Sequence, residues 1–226
     1  MKRGAITILA IGLLLVAAPI VAHATDYTID PSHTAVTFSV RHLMISNVRG
    51  EFEKTAGTIS VNGTDPSSVK IDVTIDASSV NTRVDRRDAH LKSPDFLEVA
   101  KYPTITFKST RVEAAGSGKW KVSGNLTLHG VTREVVLDVT GPTPEITDPM
   151  GSKRVGASAT ATISRKDFGL TWNKALDNGG VLVGDEVAIQ IDVEAVKTKA
   201  TAAAEHLGKL IRQAASAHAY IVAARF

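Results

Sequence analysis

Seven histidines are the side chains of this sequence best suited to metal binding or proton transfer. Zinc sites bring several ligands together at characteristic spacings, and no two of these histidines stand four residues apart, as they would on one face of a helix. The chain also has no cysteine. The sequence therefore predicts no metal site and no haem site.

Signatures of nucleophilic and acid–base catalysis are also absent from the sequence. The chain has no Gly-x-Ser-x-Gly elbow, no phosphate-binding loop and no His-Glu-x-x-His motif. Asp85 and Asp88 stand close together, but Arg86 and Arg87 lie beside them. A solvated charged surface explains this group better than an acid–base pair, and we predict no catalytic residue.

The elements that must position any functional side chain are strands. Segments with a two-residue alternation of apolar and polar side chains are typical of strands with one buried face. They are 35–42, 69–76, 104–108, 122–128, 135–140, 155–163 and 187–194, with 57–61 as a shorter eighth. Short turns favour antiparallel pairing, and closing the sheet removes its edges. The sequence predicts an all-β, eight-stranded antiparallel barrel.

One polar segment interrupts the strands. Thr82-Arg83-Val84-Asp85 resembles a capping box and predicts a short helix that begins at Thr82 and runs through Leu91. Ser93-Pro94 predicts a further turn over 95–98. A helix inserted between barrel strands suits a lid or a plug.

The N-terminus predicts export. Lys2 and Arg3 precede an apolar run over 5–18, and Ala22-His23-Ala24 fits the small-x-small cleavage pattern. We expect residues 1–24 to be a signal peptide that is cleaved after Ala24, which gives an exported protein. The predicted barrel domain, 25–196, has no disulfide to stabilise it, since the chain lacks cysteine.

The C-terminal extension, 197–226, is rich in alanine and loses the two-residue period. Leu207, Leu210, Ile211, Ala214 and Ile221 recur at helical spacing and predict a helical tail. Three alternatives stay open for this tail: a peripheral contact with an anionic membrane, packing on the barrel, or disorder.

The basic excess of the chain lies at its two ends, so the barrel domain between them is mildly acidic. We therefore predict no nucleic-acid binding.

The inward face of the strands allows two interpretations, a filled core and a ligand cavity. Small residues at Ala157, Ala159, Ala161 and Gly124 leave room inside and favour the cavity. His42 ends the apolar row of its strand. There it could meet a polar ligand head or pack as a core histidine, and spacing alone favours the second.

Several long motifs resemble the YceI-like family. They are YTIDPSHTAVTFSVRHLM at 27–44, VRGEF at 48–52, RRDAHLKSPDFLEVAKYPTITFKS at 86–109, GNLTLHGVTREVVLDV at 124–139, SRKDFGL at 164–170 and VGDEVAIQIDVEA at 183–195. The resemblance covers residues 26 to about 196, nearly the whole predicted domain. The extension from Lys197 departs from the family pattern.

The resemblance implies a lipocalin-like eight-stranded barrel with a helix between strands, a periplasmic location and no established catalysis. It implies an elongated cavity for a polyisoprenoid or a similar long-chain amphiphile, such as a quinone-like lipid, and no other cofactor. Carried over by position, the cavity-lining, ligand-binding residues would be Val36, Phe38, Val40, His42, Phe52, Ile71, Val73, Phe96, Phe107, Leu126, Leu137, Ala159 and Ile191.

Three functional hypotheses follow. The leading one is a periplasmic binding or carrier protein for an isoprenoid lipid. The second is an enzyme acting on an isoprenoid or quinone lipid, for which His42 and Tyr102 are the candidate titratable groups. The third is an interaction protein with a filled core. A homodimer stays open under each of them.

Overall fold

The computed structural model describes residues 24–62, 65–177 and 179–198. Within these ranges lie twelve strands and one α-helix, α1 (Asp85–Lys92). The strands are β1 (Ala24–Ile29), β2 (Ala35–His42), β3 (Ser46–Phe52), β4 (Thr55–Asn62), β5 (Lys70–Asp76), β6 (Val80–Asn81), β7 (Thr104–Ala114), β8 (Lys119–Leu128), β9 (Val131–Thr140), β10 (Ile146–Thr147), β11 (Lys153–Ser164) and β12 (Val183–Lys197).

The sheet closes into a barrel because β12 pairs with strands on both of its sides. On one side it pairs with β11 along eleven consecutive residues. On the other side it pairs with β2 and then with β1. The closed wall runs β12, β11, β9, β8, β7, β5, β4 and β1, and every neighbouring pair is antiparallel. The predicted eight-stranded antiparallel barrel is confirmed.

Three of the eight wall strands consist of two consecutive segments each. β1 and β2 follow one another along β12, while β4 pairs with β1 and β3 pairs with β2. β5 pairs with β4, and its continuation β6 pairs with β3. The prediction found one segment of each composite strand and missed β1, β3 and β6.

Aspartates form the breaks within two of these composite strands and the turn between β4 and β5. Asp30, Asp65 and Asp76 each accept a hydrogen bond, at 2.9 or 3.0 Å, from the backbone N–H of the serine two residues later. Such a local bond lets aspartate start a turn without a backbone partner. The hydroxyl and backbone N–H of Ser78 hold the pKa of Asp76 below its ordinary value.

Helix α1 begins later than the sequence predicts. Val84 is its N-cap and makes no side-chain capping hydrogen bond, so the predicted capping box at Thr82 is wrong. Arg83 has a left-handed backbone (φ 65°) and turns the chain before the helix. Asp88 instead reaches back from the helix and accepts hydrogen bonds from the backbone N–H of Thr82, at 2.9 Å, and from its hydroxyl.

Within the described ranges, no helix is long and apolar enough to cross a bilayer.

Two groups of buried side chains lie towards opposite ends of the barrel. One group lies at the end that carries α1 and the β2–β3 hairpin, which we call the α1 end; it comprises Ala77, Phe96, Ile105, Leu128, Phe168 and Leu170. The other comprises Phe107, Val112 and Val122 and packs against Trp120. The indole N–H of Trp120 donates to the Gly141 carbonyl at 2.7 Å, so the ring is fixed at the second end.

The predicted domain limits fall beside strand ends. Ala24 is the first residue of β1, and β12 continues through Lys197. Residues 1–23 of the predicted signal peptide and residues 199–226 of the predicted helical tail lie outside the described residues.

Candidate functional site

A cavity of about 440 Å³ occupies the inside of the barrel. Every strand of the barrel wall contributes inward side chains to it, and nearly all of them are apolar. A volume of this size lies within the range of small-molecule sites, roughly 300–1,000 Å³. The interior of the barrel is therefore a lined cavity and not a filled core.

All thirteen residues predicted to face a ligand line this cavity. They are Val36, Phe38, Val40, His42, Phe52, Ile71, Val73, Phe96, Phe107, Leu126, Leu137, Ala159 and Ile191. The lining is wider than the prediction and includes Ile29, Val48, Ile59, Ile75, Leu91, Leu97, Ile105, Leu128, Trp172, Leu182, Val187 and Ile189. The strand residues among these additions share the inward alternation of the predicted ones, which is the signal that could have found them.

The small side chains of β11 give the cavity part of its width. Ala157, Ala159 and Ala161 all line it, and Ala159 lies between Val139 of β9 and Ile191 of β12 in the sheet register. Gly124 was also expected to leave room inside the barrel, but it does not. A Cβ at Gly124 would lie 2.3 Å from the ring of Phe107, so the space beside the glycine is filled by that ring.

Aromatic side chains surround the cavity at the α1 end. The His90 ring makes edge contacts with Phe96 and Trp172, each with ring centroids 4.9 Å apart. The Phe96 and Trp172 centroids are 5.1 Å apart. The His90 side chain remains 40% exposed while it lines the cavity. His90 therefore reaches from the cavity to the protein surface, and we call the region around it the mouth.

The charged and titratable residues that line the cavity gather at the α1 end. They are Arg41, His42, Arg87, His90 and Arg165, and among the described residues no aspartate or glutamate lines the cavity. The imidazole of His42 has no hydrogen-bond partner within the described ranges, whereas His90 Nε2 lies 2.8 Å from Asp95 Oδ2. Tyr102 does not line the cavity but packs its ring on His129, with centroids 4.7 Å apart.

Arg87 is fixed at the mouth by Thr82. Its Nε donates to the Thr82 hydroxyl and one terminal nitrogen donates to the Thr82 carbonyl, both at 2.7 Å. Thr82 is buried, so it holds the half-buried guanidinium in one position. Arg87 and His90 are three residues apart on α1 and therefore share one face of the helix. The interpretation of 85–88 as a solvated surface does not describe Arg87.

Arg165 ties down the loop that leads from β11 to β12. It is buried, and its guanidinium donates to the carbonyls of Gly184 (2.9 Å), Trp172 (2.9 Å) and Leu170. Asp185 pairs with it at 3.0 Å. Burial lowers the pKa of Arg165, and the charge of Asp185 opposes that shift. Together with the Val183 carbonyl at 3.4 Å, four backbone acceptors and one carboxylate thus satisfy this buried cation.

One hydroxyl deeper in the cavity is without a partner. Thr55 Oγ1 at the start of β4 is buried, lines the cavity and makes no hydrogen bond within the described ranges. Burying an unpaired hydroxyl costs about 1–3 kcal/mol. The Thr55 hydroxyl can therefore serve a polar atom of a bound molecule.

One cluster of the described residues has the donor types of a metal site. Asp30, His33 and Glu194 bring three ligand atoms within 4.8 Å of one another. Arg154 donates to Asp30 at 2.7 Å and to Glu194 at 2.5 Å, and it also pairs with Asp148 at 2.6 Å. Hydrogen bonding to Arg154 holds the pKa of Asp30 well below its ordinary value. The positive charge of Arg154 therefore already neutralises the carboxylates that a metal ion would need as ligands.

Comparison with known proteins agrees with this architecture. A sequence model of the YceI-like domain matches residues 27–195. A UPF0312 protein of Shewanella baltica (strain OS185) is 40% identical over 155 residues, which are 68% of this chain and 81% of that protein. A UPF0312 protein of Vibrio cholerae is 36% identical over 171 residues, which are 73% of this chain and 88% of that protein.

Solved structures show the same fold. The crystal structure of the Campylobacter jejuni YCEI protein is 35% identical in sequence, with a TM-score of 0.58 over 70% of this chain and 90% of that one. Burkholderia cenocepacia BcnA is 21% identical, with a TM-score of 0.63 over 74% of this chain and 98% of that one. A polyisoprenoid binding domain from Saccharophagus degradans is 18% identical, with a TM-score of 0.56 over 76% and 98%.

Proposed function

The chain belongs to the YceI-like family, and on that premise we propose that its barrel binds one long-chain amphiphilic lipid, a polyisoprenoid or a lipid of similar shape. The observation that carries the proposal is the cavity itself. About 440 Å³ of space is surrounded by Val, Ile, Leu, Phe and Ala side chains, and its charged residues gather at one end. This division matches a molecule with a long apolar tail and a polar head.

The energetics of such a ligand favour a carrier. Each methylene removed from water contributes about 0.8 kcal/mol, so a tail of several isoprene units does not cross an aqueous compartment by itself. Transfer from a bilayer into an apolar cavity exchanges one apolar surrounding for another. Loading and release can therefore both proceed, with the polar groups at the mouth setting the balance.

One structural neighbour supports a long-chain lipid as the class of ligand. The Saccharophagus degradans domain that shares this fold is described as polyisoprenoid binding. Its sequence identity to this chain is low, so the argument for lipid binding here rests on this chain's own cavity. The same cavity offers Thr55 and His42 as unpaired polar groups for a ligand at two depths.

Binding is favoured over catalysis by the lining. General acid–base chemistry on a lipid head needs titratable groups that converge on one reacting atom. Among the described residues the lining offers two histidines and no carboxylate, and Tyr102 packs elsewhere. We therefore propose a binding protein and not an enzyme.

We also propose that the protein acts after export, in the periplasm. The basis is the composition of residues 1–24, with a basic start, an apolar run and an Ala-x-Ala site. N-terminal sequencing of the protein from a periplasmic extract tests this, with Thr25 expected as the first residue. Recovery of Met1 in a membrane fraction would contradict it.

The proposed lipid binding is tested by filling the cavity from one side. Ala159→Phe places a ring between Val139 and Ile191 inside the barrel, whereas Thr160→Phe places the same ring on the outer face of β11. We expect Ala159→Phe to lose most of its copurified lipid and Thr160→Phe to keep it, with circular dichroism spectra unchanged in both. Unchanged lipid content in a folded Ala159→Phe protein would refute binding in the cavity.

A further inference from the structure

Two of the basic side chains at the α1 end of the cavity already have a carboxylate partner, since His90 Nε2 lies 2.8 Å from Asp95 and Arg165 lies 3.0 Å from Asp185. Arg87 and His90 line the cavity from one face of α1, and Arg41 and His42 line it from the end of β2, where the Arg41 side chain is exposed. No carboxylate of the described residues lines the same space. Arg87 is the half-buried arginine of this lining that has no carboxylate partner among the described residues.

Arg87 is the member of this group with a fixed geometry. Two of its five N–H bonds are used on Thr82, and within the described ranges no carboxylate lies within ion-pair distance of it. The nearest acid in its hydrogen-bond network is Asp88, which is one step further away because it bonds to Thr82 and not to Arg87. The remaining donors of the guanidinium are available to a ligand.

Leaving a half-buried guanidinium without an anionic partner is unfavourable, since burial penalises an unpaired charge. The fully buried arginine that lines the cavity, Arg165, shows the contrast, because Asp185 pairs with it directly. Arg154 likewise has three carboxylates around it. Arg87 is satisfied in the same manner only when a ligand supplies the anion.

We propose that the lipid bound in this barrel has an anionic head, a phosphate or a carboxylate, and that Arg87 binds that head at the mouth of the cavity. A guanidinium matches the oxygens of either group with two parallel hydrogen bonds. Thr82 holds the fork in place, and the His90 ring covers the same face of α1. This inference rests on the proposed lipid binding and specifies the chemical class of the ligand.

The test compares lipids that differ only in the head. Delipidated protein is titrated with geranylgeranyl monophosphate against geranylgeraniol, and with palmitate against hexadecanol, and binding is followed by native mass spectrometry and tryptophan fluorescence. We expect the anionic member of at least one pair to bind about tenfold more tightly, since each charge-assisted hydrogen bond is about twice as strong as a neutral one. The two pairs distinguish a phosphate head from a carboxylate head.

Three variants locate the effect. Arg87→Gln should remove the preference for the anionic lipid and leave the affinity for the neutral one within a factor of about two. Arg87→Lys should keep part of the preference, because it retains the charge without the fork. Arg86→Gln is the matched control, since Arg86 is the exposed neighbour on the same helix, and it should change nothing.

Equal affinity of the wild-type protein for both members of each pair would overturn this inference while leaving lipid binding intact. So would an Arg87→Gln protein that loses both classes of lipid equally, because Arg87 would then only support the fold. If none of the four lipids binds, the proposed function fails and this inference fails with it.

Discussion

The ring of Phe107 occupies the space in which a side chain at Gly124 would stand. Phe107 lies on β7 and Gly124 on the neighbouring β8, and a Cβ built on the glycine would come within 2.3 Å of the ring and 2.7 Å of the Lys108 carbonyl. Both the ring and that carbonyl would have to shift to admit a methyl group. The glycine thus allows a large aromatic side chain to pack against the barrel wall beside the cavity.

Gly124→Ala should therefore destabilise the barrel. Overpacking of this kind costs about 1–3 kcal/mol, measured as a lower urea midpoint at an unchanged slope. Gly156→Ala on β11 is the matched control, because its Cβ would meet nothing closer than 3.5 Å. A Gly124→Ala protein as stable as Gly156→Ala would contradict this account of the Phe107 packing.

The turn between β2 and β3 has two residues with bulky side chains at positions that favour glycine or asparagine, and this strains the turn. Leu43 and Met44 both have left-handed backbone (φ 52° and 63°), and Ile45 N–H donates to the His42 carbonyl at 3.1 Å. Two left-handed central residues are typical of the turn that Asn-Gly favours.

Replacing Leu43-Met44 by Asn-Gly should raise the free energy of unfolding by about 1–2 kcal/mol, which is the cost of a left-handed side-chain-bearing residue. Met44 is already half exposed, so little apolar burial is lost. Ile45→Gly is the control, since Ile45 has no left-handed backbone, and it should lower stability. A destabilised Asn-Gly variant in thermal unfolding would mean that the turn is not strained.

Arg165 should contribute strongly to the stability of the α1 end through its hydrogen bonds to backbone carbonyls. Arg165→Met leaves the carbonyls of Gly184, Trp172 and Leu170 without their donor, and each unsatisfied buried acceptor costs about 1–3 kcal/mol. We expect a loss of roughly 3 kcal/mol or more in urea unfolding and faster release of bound lipid, since Leu170 and Trp172 line the cavity.

Arg165→Lys is expected to restore little of this stability, because one ammonium does not reach all the carbonyls to which the guanidinium donates. Lys166→Met is the control on the neighbouring exposed residue, which pairs with Asp185 from outside at 2.8 Å. If Arg165→Lys unfolds at the wild-type urea concentration, the guanidinium geometry is unimportant.

The stabilising effect of Arg154 should depend on pH. Its hydrogen bond lowers the pKa of Asp30, and it is also the main cause of the lowered pKa of Asp148. A carboxyl group with a lowered folded-state pKa stabilises the protein above the unfolded-state value and loses that effect as the pH falls. The contribution is therefore complete at pH 7 and declines below about pH 4.

Thermal unfolding of Arg154→Gln from pH 7 to pH 3 checks this sign. The melting temperature should lie below that of the wild-type protein at pH 7, and the difference should shrink towards pH 3. Arg111→Gln removes an exposed pair with Glu113 and should have no measurable effect at any pH. A difference for Arg154→Gln that grows on acidification would contradict the proposed coupling.

The alternation of side chains predicted the barrel and the inward face of its longer strands, whereas Phe52 and Phe96 were assigned to the cavity from the family resemblance. Val36, Phe38 and Val40 alternate without interruption, so their face could be assigned from β2 alone. β3 escaped prediction because Gly50 stands at one of its inward positions and breaks the apolar row. Segments as short as β6, with two residues, have no period to detect.

The roles of the arginines could not be predicted from spacing. Arg87 and Arg86 are adjacent and chemically identical in the sequence, yet one faces the cavity and the other is exposed. The difference comes from Thr82, which lies before the helix and is buried by the fold. Arg165 similarly acquires partners up to twenty residues away, in the following loop and at the start of β12. Such long-range hydrogen bonds leave no local pattern in the sequence.

Native mass spectrometry of the protein, purified from a bacterial cell envelope without denaturant, tests the central claim most directly. We expect a population of the folded chain to carry one additional mass that corresponds to a single long-chain lipid and is released on unfolding. The Ala159→Phe protein prepared in the same way should lack it. A wild-type protein that carries no lipid from the envelope, and takes none up from vesicles, would contradict the account.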